Sequence, residues 1–239
     1  MAIDPDQVLS LIKTTSNLPL VKVSREDYLI KEFSSDYSDL MNDILNKGPY
    51  EAGVPVEVIE KKAKAAINFE TNKATAVSFA AGLPGGLAMI GTIPADLTQF
   101  MGHSLRIAQK LAYLSGMPGF SNSEDMTDDE ANMVLVYLGV MFGEAQAVLA
   151  LKTVSQHLAG VALKQLPKMA LTKIIGWPTI KALLKMVGIK LTKDVAAKSV
   201  AKVIPILGGV ASGGLTFASL KVMSKRLYDK LSESRFTNK

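Results

Sequence analysis

The sequence predicts an all-α fold: a single compact multi-helix domain with two glycine-rich central helices and an N-terminal helical arm. Three observations carry this expectation. No segment alternates polar and apolar residues over the length of a strand, and no Asn-Gly or Asp-Gly pair marks a hairpin. Helix start signals stand at Ser24 and Thr127, each followed by acids in the first turn. Two stretches without charge, 74–95 and 203–220, are rich in small residues that let helix backbones approach closely.

Taken in order, Ser24-Arg25-Glu26-Asp27 resembles a capping box and opens a helix running toward Asn46, which the Lys47-Gly48-Pro49 break ends. Pro55 suits a first helical turn, and 56–81 is continuous helical material. Gly82-Leu83-Pro84-Gly85-Gly86 then interrupts it. A further helix starts at Pro94 and ends near Gly116, and a polar loop covers 118–126. Thr127-Asp128-Asp129-Glu130 is the strongest start signal, joining a threonine cap to three acids at the positive helix end. The helix it opens is apolar on every face over 133–142, which marks it as central and buried. Near the other end, Gly208, Gly209, Gly213 and Gly214 join Gly82, Gly85 and Gly86 as close-packing glycines. The organisation expected is an acidic helical arm over 1–54, a helical domain over 55–230 and a polar tail over 231–239. By length both charge-free stretches reach the roughly 20 residues that cross a bilayer. A mean hydropathy of +0.22 and the charges flanking every other helix favour the interior of a soluble domain instead.

Composition excludes several classes. Of 239 residues 48% are hydrophobic, too many for a disordered chain. There is no cysteine, so disulfide scaffolds, thiolate metal sites and cysteine nucleophiles are ruled out. The N-terminus lacks a basic patch and an apolar run, and a cytoplasmic location is expected. Charge is unevenly divided. Residues 152–239 hold 16 basic and three acidic side chains, leaving 11 basic and 19 acidic in the preceding 151. Such a bias points to a polyanionic partner for the basic portion, unless the two portions neutralise each other within one fold.

Enzymatic signals are sparse. There is no Gly-x-Ser-x-Gly elbow, no phosphate loop with its lysine and hydroxyl, and no His-Glu-x-x-His. The helix from Pro94 carries a polar row of Asp96, Gln99, His103, Arg106 and Lys110, expected to face a loop or water. Asp96 and His103 are seven residues apart, about 10.5 Å along a helix, so any partner of His103 must come from another helix. Glu144 falls in an apolar run and needs pairing, hydrogen bonding or protonation, a buried ion pair being the default. Asp96, His103 and Glu144 are therefore the candidate catalytic and metal-ligating residues of an alternative reading, a metal-dependent or other hydrolase near the Gly82–Gly86 turn. The sequence names no cofactor.

The basic portion has more physical content. Lysines recur from 164 to 193 among Leu, Ile, Met and Val, with the single tryptophan, Trp177, before Pro178. Such a basic amphipathic helix suits a membrane interface, its apolar groups entering the acyl boundary and its lysines meeting anionic headgroups. Lys173, Trp177, Lys181, Lys185, Lys190 and Lys193 are the candidate membrane-binding residues. A core helix with solvated lysines is the competing reading. Nucleic acid is disfavoured as a partner: this portion has two arginines, Arg226 and Arg235, and no interleaved stacking aromatics.

Two runs carry a family resemblance. The first is Ala80-Ala81-Gly82-Leu83-Pro84-Gly85-Gly86-Leu87 with Ile93-Pro94-Ala95-Asp96-Leu97 and the helix end Lys110-Leu111-Ala112-Tyr113-Leu114-Ser115-Gly116. The second is Lys202-Val203-Ile204-Pro205-Ile206-Leu207-Gly208-Gly209, continuing to Gly214. Their order and separation resemble the EcsC protein family over roughly 55–230. One departure is visible, since the family's Tyr-Gly pair is here Tyr113 and Gly116 with two residues between. The resemblance implies a bacterial helical protein beside an ABC transporter involved in secretion, and it carries no catalytic residue set. The function expected is non-enzymatic action at the cytoplasmic face of the membrane, with an anionic membrane surface and a transporter or other membrane protein as partners.

Overall fold

The computed structural model describes residues 5–75, 95–118, 120, 126–158, 176, 178–185, 187–188 and 208–236, with backbone alone at 5–6, 74–75, 95–99 and 208–217. Gly82, Gly85, Gly86, Lys173, Trp177, Lys190 and Lys193 lie outside the described residues. Every regular element among the described residues is helical, as the all-α expectation requires. The chain runs through α1 (Pro5–Ser16), α2 (Arg25–Phe33), a 3-10 turn (Ser38–Leu40), α3 (Met41–Lys47) and α4 (Val56–Thr75). It continues through α5 (Ala95–Leu114), α6 (Asp128–Met141), α7 (Ala145–His157), α8 (178–185) and α9 (Gly208–Arg235).

Local chemistry sets most of the boundaries. The Ser24 hydroxyl accepts the Asp27 N–H at 3.2 Å and starts α2. That helix stops at Phe33 rather than running on to Asn46. Ser34, Ser35, Asp36, Ser38 and Asp39 carry short polar side chains that compete with the helix for backbone hydrogen bonds, and a turn replaces it. Gly48 ends α3 with φ +92°, and it sits so close to Gly116 that a Cβ would lie 2.5 Å from the Gly116 Cα. At Thr127 the capping box is complete: Thr127 Oγ1 accepts the Glu130 N–H at 3.3 Å, and Glu130 accepts the Thr127 N–H at 2.8 Å. All residues of α6 from Glu130 to Met141 are buried, so this helix is central as its composition predicts.

One contiguous core extends from Val8 in α1 to Leu231 in α9. The N-terminal arm is folded into it, since Leu11 and Ile12 of α1, Leu29 and Phe33 of α2 and Ile44 of α3 are all buried there. The other heart of the core is α5 with the turn that follows it, where every residue from Met101 to Pro118 except Arg106 is buried. Helix α4 packs on α5 and α9, α7 packs on α6, and α9 also meets α5, α6 and α7. Arg235 near the end of α9 pairs with Glu51 just before α4, and Lys225 lies near Glu60 one turn into α4, so these two helices run antiparallel. Among the described residues no helix is long and apolar enough to cross a membrane.

Arginines, Arg25 and Arg235 buried and Arg226 half-buried, close the ends of the central helices. Arg226 donates to the Met141 carbonyl at 2.7 Å, at the end of α6. Arg235 donates to Gly116 O at 3.1 Å and Ser155 O at 3.4 Å while holding Glu51 at 3.1 Å. Arg25 reaches Met117 O at 3.0 Å and Leu45 O at 2.7 Å. Helix C-termini leave carbonyls without partners and carry partial negative charge, and a guanidinium answers both. The two arginines of the basic portion therefore have structural work inside the fold.

Candidate functional site

Among the described residues a dense cluster of charges centres on Glu70, which is fully buried. It occupies the stripe of α4 that also buries Ile59, Ala63 and Ile67, an acid where the helical period calls for an apolar residue. Across from it, His103, Arg106 and Lys110 share one face of α5 at a spacing of three and four residues. Lys110 Nζ lies 2.6 Å from Glu70 Oε1, and Arg106 Nε lies 3.0 and 3.1 Å from the two carboxylate oxygens. His103 Nδ1 is 3.9 Å from Oε2. The polar row expected to face a loop or water thus turns inward over these three residues, because α4 supplies the carboxylate that balances it.

Burial alone would raise the Glu70 pKa, but the neighbouring His103 imidazole, the hydrogen bond from Lys110 and the charges of Lys110 and Arg106 outweigh it and hold the carboxyl down at about 2. Burial likewise lowers Lys110 below the ordinary lysine value, and Glu70 restores part of the loss. Burial, then the nearby carboxylates Glu32 and Glu70, push the Tyr28 phenol upward. Aromatic faces complete the surroundings of Lys110, with Phe69 at 5.1 Å and Tyr28 at 5.5 Å. A carboxylate held so far below neutral pH is a poor general base, and two adjacent cations oppose a metal ion. The cluster is suited to pinning α4 against α5.

The candidate hydrolase residues are distributed over different elements. Asp96 lies in the first turn of α5, described at its backbone alone, and His103 is interior with 1% of its surface exposed. Glu144 is not inside a continuous apolar helix. Gly143 adopts φ +84°, breaks α6 from α7 and leaves Glu144 as the N-cap of α7. It is buried and forms no ion pair among the described residues. Among the described residues no group of three His, Asp or Glu is placed to hold a metal ion.

The basic surface is partly visible. Lys181 and Lys185 are exposed one turn apart on α8, whereas Ile180, Leu183, Leu184 and Val187 are buried in the core. Helix α8 is amphipathic as expected, but its apolar side faces protein. Lys152 on α7 and Lys221 and Lys225 on α9 are also exposed. Sequence reasoning singled out His103, Arg106 and Lys110 but missed Glu70, although an acid in the apolar stripe of 59, 63, 67 and 70 is a readable sign. No family model, curated protein or solved structure matches the chain.

Proposed function

We propose that this protein acts without catalysis as a peripheral protein at the anionic cytoplasmic face of a bacterial membrane, beside a transporter, in line with its resemblance to the EcsC family. The supporting observation is that positive charge in the C-terminal portion is displayed. Lys152, Lys181, Lys185, Lys221 and Lys225 are all exposed, while the arginines of that portion serve helix ends inside the fold. Each lysine near an anionic leaflet contributes ~1 kcal/mol, so a few acting together hold the protein at the surface.

The mode of attachment follows from α8. Its apolar residues belong to the core, so Lys181 and Lys185 act through charge and not by inserting an apolar face. Such attachment weakens as salt shortens the screening length from ~10 Å at 0.1 M to ~3 Å at 1 M. The test is co-sedimentation with phosphatidylglycerol-containing vesicles and with pure phosphatidylcholine vesicles. Binding to the anionic vesicles alone, reversed by salt and weakened about tenfold or more by K181E/K185E, is expected. Equal binding to both vesicle types, or none to either, overturns the reading.

A further inference from the structure

Two large apolar side chains stand open to solvent near the Glu70 cluster: Phe69 on α4, 51% exposed, and Leu20 between α1 and α2, 49% exposed. Arg106 draws them to one part of the surface, since its guanidinium donates both to the Leu20 carbonyl and to Glu70, the chain neighbour of Phe69. Scattered apolar residues are ordinary on a protein surface, and it is the charge beside them that sets these two apart. The Phe69 ring has Lys73 Nζ at 4.6 Å and Lys110 Nζ at 5.1 Å from its centroid.

The charges select the occupant. Lys62, Lys73, Arg106 and Lys110 gather about two carboxylates, Glu32 and Glu70, so positive charge is in excess. Glu32 takes Lys62, and Glu70 takes Arg106 and Lys110. Lys73 is exposed, lies over the Phe69 ring and forms no ion pair among the described residues. Two apolar side chains are too few to form the core of a stable protein interface, which takes about 800 Å² from each partner. An aromatic ring beside lysines is instead the composition of a membrane-interface anchor, with the ring at headgroup level and the ammonium groups on anionic lipid. We propose that Phe69 and Leu20 enter the headgroup region of an anionic bilayer, with Lys73 meeting lipid phosphate. This assignment rests on the membrane reading and adds to it the apolar contact that α8 keeps within the core.

The chain has no cysteine, so a single label can be placed where it is wanted. In the full chain, Asn72→Cys carries a nitrobenzoxadiazole label one turn beyond Phe69, and Glu57→Cys carries the control label about 22 Å back along α4. On phosphatidylglycerol-containing vesicles the label at 72 shifts to the blue and is quenched by nitroxide-bearing lipid, and the label at 57 does neither. Phe69→Ala weakens vesicle binding roughly tenfold and Phe69→Trp strengthens it. Both variants keep the parent circular dichroism, since the position is exposed. Binding that Phe69→Ala leaves unchanged, or no shift at 72, overturns the proposal and leaves attachment through Lys181 and Lys185 standing. No binding of the parent to anionic vesicles overturns both. A shift at 72 that needs no vesicles and grows with protein concentration assigns the patch to a second copy of the chain and overturns the proposal equally.

Discussion

Glu70→Gln removes one negative charge from the buried cluster and leaves its shape almost unchanged. Buried Lys110, at 2.6 Å, and half-buried Arg106, at 3.0 Å, then lose the carboxylate they share. Two routes give the size of the effect. A carboxyl held at about 2 instead of 4.5 corresponds to about 3 kcal/mol of extra stabilisation of its ionised form. Breaking a buried ion pair by removing one partner costs roughly 3–5 kcal/mol. Both put the loss near 3 kcal/mol, or roughly 6–12 °C in melting temperature for a chain of this size.

The pH dependence separates this account from a simple packing defect. Below the unfolded value of 4.5 the unfolded chain takes up a proton at Glu70 that the folded chain refuses until about pH 2. Stability from this group is therefore full above pH ~4.5 and lost as pH falls toward ~2. In urea titrations the gap between the parent and Glu70→Gln is about 3 kcal/mol at pH 7 and shrinks by roughly half at pH 3. A gap below about 1 kcal/mol at pH 7, or one independent of pH, refutes the reasoning. Pairing Glu70→Gln with Lys110→Met recovers part of the loss, because methionine fills the space of the lysine without leaving its buried charge unpaired.

Three further outcomes follow from the same structure. Gly48→Ala costs more than the ~1–2 kcal/mol of a left-handed alanine, because its Cβ would lie 2.5 Å from Gly116 Cα. Gly53→Ala, at φ +95° with nothing within 4 Å, shows the conformational cost alone, and equal losses in thermal denaturation would count against the close approach. Thr127→Ala lowers stability by about 1 kcal/mol through loss of the α6 cap, and Thr127→Ser retains most of it. Arg235→Ala costs ~3 kcal/mol by freeing Gly116 O, Ser155 O and Glu51 together, and Arg235→Lys restores less than half because an ammonium cannot span all three. Chemical denaturation reads both pairs, and full rescue by lysine would show that charge alone matters.

Interactions that close within one turn of chain are legible from sequence alone. The Thr127–Glu130 box and the Gly48 stop each depend on residues within a few positions, and the structure contains both. The burial of α6 follows because a helix apolar all round has no face to offer water. Even the departures have local signs: the Ser34–Asp39 run that divides α2 from α3, and the left-handed Gly143 that separates Glu144 from α6.

The tertiary structure alone decided what each polar or apolar face meets. Glu70 and Lys110 are 40 positions apart, and no periodicity within α5 names the carboxylate that answers His103, Arg106 and Lys110. For α8, an apolar stripe beside lysines is the same pattern whether its neighbour is lipid or protein, and here Leu183 and Val187 found the core. A helical period records which residues share a face. What covers that face depends on helices brought together from distant parts of the chain, and burial then determines whether a charge is solvated, paired or held far from its usual pKa.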